Sequence, residues 1–223
     1  MPRTSRLSIA GDGSSVEAVV LLLPGGTADS FAPVRAFDPA LVRMVPFGRS
    51  VVRAGKGRVA SVTLRYSVRG WNGDLESPLP DAHWALDQIA KRFGDLPVGL
   101  IGHSMGGRVA LRVAHHLGGS SSRVKSVAAL APWLPPGELI ESLDHQRLLL
   151  AHGTADRITD PSQTFALAET LAADGTDVEV VRFAGARHSM LLPARPWHDL
   201  ASNFMLRTLL APVQGDPEAH QPH

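Results

Sequence analysis

The most informative part of this sequence is Pro97-Val98-Gly99-Leu100-Ile101-Gly102-His103-Ser104-Met105-Gly106-Gly107. Its first half is a short apolar strand, which runs directly into a Gly-x-Ser-x-Gly turn. Arg108 to Leu117 continues as a helix, because Val109, Val113 and Leu117 recur every four residues on one face. Strand, sharp turn and helix in this order are the context in which Gly-x-Ser-x-Gly forms a nucleophile elbow.

The glycines at positions 102 and 106 have a physical reason in such an elbow. The serine lies on a strained turn, and a Cβ two residues to either side would collide with the neighbouring strand and helix. A glycine-rich connection between a strand and a helix also occurs in α/β proteins without serine chemistry. The elbow interpretation therefore requires the other members of a catalytic triad.

Composition and charge indicate one globular domain. The chain has 223 residues, of which 44% are hydrophobic, and a net charge of +1, with arginines scattered along it, which argues against nucleic-acid or anionic-membrane partners. The absence of cysteine excludes disulfides, thiolate metal sites and a cysteine nucleophile. The first ten residues lack a secretory signal, and the apolar run Val19 to Leu23 is too short to span a membrane.

These properties predict a cytoplasmic protein that consists of a single domain over 1–211. Residues 212–223 have neither periodicity nor bulky side chains, and we predict that they form a disordered tail. No heptad or interface stripe indicates an oligomeric state.

Strand and helix patterns alternate along the whole chain. Beside the elbow, strands are predicted over 16–23, 58–66, 124–131, 147–151 and 177–183, and helices over 39–54, 81–92, 161–173 and 196–210. Pro46 and Gly48 are predicted to break or kink the first helix. The alternation predicts an α/β fold with a doubly wound, mostly parallel sheet and helices on both faces.

A serine nucleophile needs a base to take its proton and an acid to orient that base. In elbow enzymes these two residues follow the serine in the order acid, then histidine, on loops after later strands. The loop after strand 147–151 holds two aspartates. Asp160 is explained as the N-cap of the helix that begins at Pro161. Asp156 has no such role and is favoured as the acid.

His188 is the favoured base among ten histidines, because it directly follows strand 177–183, where the mechanism requires it. His152, at the end of the preceding strand, stays as an alternative. His103, inside the elbow, is expected to point away from the serine hydroxyl. The other histidines fall on helices, in a loop or in the tail: His83, His115, His116, His145, His198, His220 and His223.

Two backbone donors are needed for the oxyanion of the reaction. One is the N–H of Met105, at the start of the elbow helix, where the helix dipole adds to it. The second is expected from the loop Pro24-Gly25-Gly26-Thr27 after the first central strand. Gly26 is the preferred donor, and Thr27 is the alternative.

Three ordered motifs now stand in the chain: Gly102 to Gly107, His152-Gly153-Thr154-Ala155-Asp156-Arg157 and Gly185-Ala186-Arg187-His188. With them the sequence resembles the α/β-hydrolase superfamily over Val16 to Leu210, and most closely its small bacterial esterase-like members. The resemblance implies a Ser104–Asp156–His188 triad, an acyl-serine intermediate, and neither a metal nor an organic cofactor. Many relatives carry a histidine where this chain has Pro24, so any support from that side chain is lost.

Larger relatives insert a lid domain at the position of 132–146, which is too short here to fold as one. The resemblance therefore implies an open site that is walled by Trp133, Leu134 and Met190, with Trp71 at its rim. The expected activity is hydrolysis of small to medium carboxylic esters or thioesters. Acyl transfer, amide cleavage by the same triad, and non-catalytic binding of a small molecule are the alternatives.

Overall fold

The computed structural model describes residues 4–138, 140, 143, 145–190 and 194–210. Within these residues a sheet of seven strands lies between two layers of helices. The strands are β1 (Arg6–Ala10), β2 (Ala18–Leu23), β3 (Val59–Arg65), β4 (Val98–His103), β5 (Val124–Leu130), β6 (Arg147–Gly153) and β7 (Asp177–Phe183). The α-helices are α1 (Pro39–Gly55), α2 (Pro78–Phe93), α3 (Met105–His116), α4 (Pro161–Ala173) and α5 (Arg195–Leu209).

The sheet has the strand order β1-β3-β2-β4-β5-β6-β7. β1 pairs antiparallel with β3, and every other pair of neighbours is parallel. Side chains alternate between two cores along each central strand. In β2, Val19 and Leu21 face the core with α2, α3 and α4, whereas Val20 and Leu22 face α1 and α5. The predicted fold, doubly wound and mostly parallel, is confirmed.

The site lies at the point in the sheet where the direction in which successive strands are added reverses. β2 has β3 on one side and β4 on the other, so successive crossovers lead away from β2 in opposite directions. Ligands of such sheets bind outside the carboxyl ends of the strands at this point. Pro24 and Ser104 directly follow the ends of β2 and β4.

Helix α1 is continuous, so the break predicted at Pro46 and Gly48 does not occur. Proline leaves the carbonyl of Val42 without its helical donor. Val42 is 48% exposed, and water can therefore satisfy that carbonyl. Gly48 serves packing instead, since a Cβ there would lie 2.9 Å from the Leu22 side chain on the sheet.

The remaining elements agree with the sequence patterns to within a few residues, and α4 and β7 have the predicted bounds. β1 was not predicted, because an edge strand of five residues that is mostly exposed carries little hydrophobic pattern. The domain boundary at 211 and the tail predicted over 212–223 lie outside the described residues. No described helix has both the length and the apolar character needed to cross a membrane.

Candidate active site

Ser104 occupies the strained turn that the elbow motif predicts. Its φ of 56° and ψ of −120° lie in a region that non-glycine residues rarely adopt. A Cβ on Gly102 would collide with the backbone of Gly106, and a Cβ on Gly106 would collide with the carbonyl of Leu23. The Ser104 N–H donates to the Leu130 carbonyl at 3.0 Å, which ties the turn to the neighbouring strand β5. The serine is therefore held at the carboxyl edge of the sheet.

His188 and Asp156 are brought together across the loops that follow β7 and β6. His188 Nδ1 lies 2.8 Å from Asp156 Oδ2. A carboxylate only accepts hydrogen bonds, so Nδ1 carries the proton of the neutral ring. Nε2 is then the nitrogen that is left to take a proton from a nucleophile. The Asp156 side chain is fully buried, whereas that of His188 is 14% exposed.

Asp156 accepts several further hydrogen bonds. Its Oδ1 accepts from the Ile158 and Thr159 N–H groups at 2.8 and 3.1 Å, and its Oδ2 accepts from the Thr159 hydroxyl at 3.0 Å. Burial acts to raise the pKa of Asp156, but these backbone donors and His188 outweigh it, so the pKa lies below its usual value. The side chain is therefore a carboxylate at neutral pH.

His152, the alternative base, lies in the core beside Asp156. Its Nε2 is 3.1 Å from Asp156 Oδ2, and its Nδ1 is 2.7 Å from the Thr164 hydroxyl. Burial lowers the pKa of His152, so the ring is neutral, with its proton on Nε2 and Nδ1 accepting from Thr164. Because both nitrogens are engaged inside the core, His152 has none to offer the serine. It adds a donor to Asp156 instead.

His103 has a contact that was not predictable from the sequence pattern. Its buried ring lies 4.8 Å from the ring of His188, centroid to centroid, and its Nε2 is 2.9 Å from the His188 carbonyl oxygen. Burial, together with the charges of His188 and Arg43, lowers the pKa of His103 to about 3. The neutral ring therefore donates from Nε2 to that carbonyl. The residue beside the candidate nucleophile thus holds the backbone of the candidate base.

Asp160 has the structural role that its sequence position predicts. It is the N-cap of α4, and its side chain accepts from the Ser162 N–H at 2.9 Å. The hydrogen bonds to Ser162 lower the pKa of Asp160. Of the two aspartates in this loop, only Asp156 contacts His188 among the described residues.

The two candidate oxyanion donors are neighbours. A Cβ on Gly26 would overlap the Met105 side chain, so the loop after β2 packs directly on the start of α3. The Thr27 N–H already donates to the Arg69 carbonyl at 3.0 Å, which favours Gly26 over Thr27 as the free donor. Met105 is the first residue of α3, where backbone N–H groups lack a helical acceptor.

The residues expected to wall the site are mostly enclosed. Trp71, Leu134 and Met190 are 2%, 5% and 3% exposed, and only Trp133 is half-buried. The Trp71 indole packs edge-on against Trp133, with ring centroids 6.2 Å apart, and the Arg108 guanidinium lies 3.8 Å from the Trp71 ring centroid. A role of these four side chains in substrate binding stays a prediction.

Two concave surfaces flank the elbow and its loops. We call the first the tryptophan groove, a space of about 550 Å³ lined by Trp71, Trp133, Arg108, Arg112, Glu76 and Glu138, among others. We call the second the arginine cavity, a space of about 460 Å³ lined by His188, Ile158, Arg43, Arg157 and Arg187, among others. Across the described part of the chain, no group of three His, Asp or Glu side chains converges as a metal site.

Comparison with known proteins identifies the family of this chain. A model of the alpha/beta hydrolase family matches residues 20–222. This chain belongs to the alpha/beta hydrolase family. The family accounts for the elbow, the order of acid and histidine, and the parallel sheet in one scheme. No curated protein sequence matches the chain.

Solved structures share the fold at low sequence identity. An α/β serine hydrolase without a lid from Xanthomonas campestris is 17% identical, with a TM-score of 0.67 over 93% of this chain and 90% of that one. An esterase from Thermogutta terrifontis with butyrate bound is 18% identical, with a TM-score of 0.67 over 94% and 91%. An α/β serine hydrolase homologue from Coxiella burnetii is 16% identical, with a TM-score of 0.66 over 89% and 90%.

Proposed function

We propose that this alpha/beta hydrolase is a serine esterase that cleaves small to medium carboxylic esters or thioesters through an acyl-serine intermediate. The observation that carries the proposal is the 2.8 Å hydrogen bond between His188 Nδ1 and the buried Asp156 carboxylate. That bond favours the tautomer in which Nε2 is free to act as a base. The loop of His188 is joined to the elbow by the 2.9 Å contact between His103 Nε2 and the His188 carbonyl oxygen. The esterase among the similar folds, which holds butyrate, supports an ester substrate.

The proposed reaction has two halves. In the first, Ser104 Oγ attacks the carbonyl carbon while His188 Nε2 takes its proton, and the N–H groups of Gly26 and Met105 stabilise the oxyanion. The tetrahedral intermediate collapses as His188 returns the proton to the leaving alcohol or thiol. In the second half, water attacks the acyl-serine by the same path and releases the acid.

Hydrolysis of 4-nitrophenyl acetate, butyrate and octanoate tests the proposal. We expect turnover by the wild-type protein and a loss of about 10⁴-fold or more in kcat for Ser104→Ala, because the nucleophile is gone while the oxyanion donors remain. Ser120→Ala, at an exposed loop position, is the matched control and is expected to be fully active. An unchanged kcat in Ser104→Ala would refute the proposal. Mass spectrometry of the products separates hydrolysis from acyl transfer.

A further inference from the structure

The arginine cavity is built by three separate parts of the chain. Arg43 lies on the first turns of α1, Arg157 on the loop after β6 that also carries Asp156, and Arg187 directly before His188. The cavity borders His188 itself, and its other walls include Ile158, which is 74% exposed. His188 and three arginine residues therefore line one space.

The three arginines of this cavity have no acidic side chain beside them among its described lining residues. None of the three arginines forms an ion pair with a described residue. Arginine stays protonated at neutral pH, so the cavity carries a positive potential. Planar guanidinium groups bind carboxylate and phosphate through paired hydrogen bonds.

Arg43 is partly buried and, unlike Arg108 and Arg112, has no carboxylate partner among the described residues. Its Nε is buried and has no hydrogen-bond acceptor among the described residues. Burial lowers the pKa of the Arg43 guanidinium, and its charge in turn lowers the pKa of His103 beside the serine. A buried donor without an acceptor costs free energy, and an anionic ligand in the cavity would offset part of that cost through its attraction to the guanidinium charge.

The chemistry at His188 indicates which part of a substrate enters here. His188 must reach the oxygen of the leaving group to protonate it, so the space beside the ring is suited to the alcohol portion of the ester. Building on the proposed function, we propose that the arginine cavity is a subsite for an anionic group, a carboxylate or a phosphate, on the alcohol portion of the substrate. Arg43 is its central residue, and Arg157 and Arg187 support it from the two loops.

Three acetate esters with different leaving groups test the subsite: 3-acetoxybenzoate, its methyl ester, and 3-acetoxyphenyl phosphate. Each kcat/KM is divided by the rate of the same ester in hydroxide, which removes differences in leaving-group reactivity. We expect the wild-type protein to prefer at least one of the two anionic esters over the methyl ester by about tenfold or more, since hydrogen bonds between charged groups are the strong ones. The better of the two shows whether the anion is a carboxylate or a phosphate.

Arg43→Gln is the deciding variant. We expect it to bring the ratio of corrected kcat/KM values, anionic ester over methyl ester, close to one. Arg49→Gln is its matched control, because Arg49 lies on the same helix, carries the same charge and lines a different surface. We expect that control to keep the preference to within about twofold, which separates local recognition from net charge. Should Arg43→Gln not fold, the double variant Arg157→Gln/Arg187→Gln, at two exposed loop positions, must reduce the preference instead.

The outcomes separate the two proposals. Release of acetate from all three compounds at similar corrected rates, with no preference for either anionic ester, would overturn the subsite and leave the esterase proposal intact. A preference that survives in Arg43→Gln and in the loop double variant would also overturn it. Failure to cleave any of the three esters, with no label on Ser104 from a fluorophosphonate, would refute the proposed function, and the subsite would fall with it.

Discussion

The tryptophan groove and the arginine cavity both contain arginines near the elbow, but among the described residues only the groove arginines have carboxylate partners. In the groove, Arg108 pairs with Glu138 at 2.6 Å and Arg112 pairs with Glu76 at 2.5 Å. Arg108 is also stacked on the indole of Trp71. In the cavity, no carboxylate of the described chain meets Arg43, Arg157 or Arg187.

This difference distinguishes an arginine that completes a structure from one that is available to a ligand. The side chains of Arg108 and Glu138 are only 12% and 6% exposed, so their charges satisfy each other inside the fold. Substitutions in the groove should therefore reduce stability more than activity. Substitutions on the His188 side should reduce activity more than stability.

The largest effect is expected on the His188 side, from Asp156→Asn. An asparagine amide can donate to Nδ1 and favours the tautomer with the proton on Nε2, which cannot act as a base. We expect kcat to fall by about 10⁴-fold, as for the same change in a serine protease triad, with the fold retained. Steady-state kinetics and the far-ultraviolet circular dichroism spectrum measure the two quantities.

Asp160→Asn is the control for this variant in the same loop. Asparagine is about as good an N-cap as aspartate, so neither kcat nor the free energy of unfolding should change much. If both asparagine variants lost activity equally, Asp156 would have no special role as the acid.

The next effect is expected in the groove, from Arg108→Met. Removing Arg108 leaves the buried Glu138 carboxylate, within the described chain, with only Arg112, whose Nε lies 3.7 Å from Glu138 Oε1, and we expect this to cost about 3 kcal/mol of unfolding free energy. Urea denaturation measures this loss. The double variant Arg108→Met/Glu138→Gln removes both charges and should recover part of it. A large fall in kcat with unchanged stability would contradict the distinction between the two surfaces.

The smallest effect is expected on the pH dependence of the unfolding free energy, to which His103 contributes. Because the pKa of His103 in the folded chain, about 3, is below its ordinary value of 6.5, the unfolded chain binds the proton first as the pH falls. Stability is therefore lost from about pH 6.5 downward. His103→Gln removes this titration and retains a donor for the His188 carbonyl.

Denaturant unfolding at about pH 7 and about pH 5 tests whether stability falls with pH in this direction. Wild-type protein should lose about 2 kcal/mol more than His103→Gln over this interval, because one proton is worth about 1.4 kcal/mol per pH unit. Equal losses in the two proteins would mean that His103 titrates normally in the folded state.

The sequence predicted those features that local patterns encode. The elbow at Ser104, the cap at Asp160 and the helix that begins at Pro161 all depend on residues a few positions apart. The order of acid and histidine likewise placed Asp156 and His188 on the two loops that the fold brings into contact.

Features that depend on distant backbone were not predictable. His103 contacts a carbonyl 85 residues away, and no spacing in the sequence reports such a pair. The glycine at position 48 looked like a helix breaker, but its reason is the close approach of α1 to the Leu22 side chain. The engagement of Thr27 by the Arg69 carbonyl, which favours Gly26 as a donor, is also visible only in three dimensions.

The central claim is that Ser104 is a nucleophile activated by His188. Intact-mass measurement after incubation with a fluorophosphonate, followed by peptide mapping, tests it most directly. We expect one phosphonyl group on the peptide that contains Ser104, and labelling slowed strongly in His188→Gln and abolished in Ser104→Ala. A phosphonyl group on another residue, or labelling that persists in Ser104→Ala, would contradict the claim.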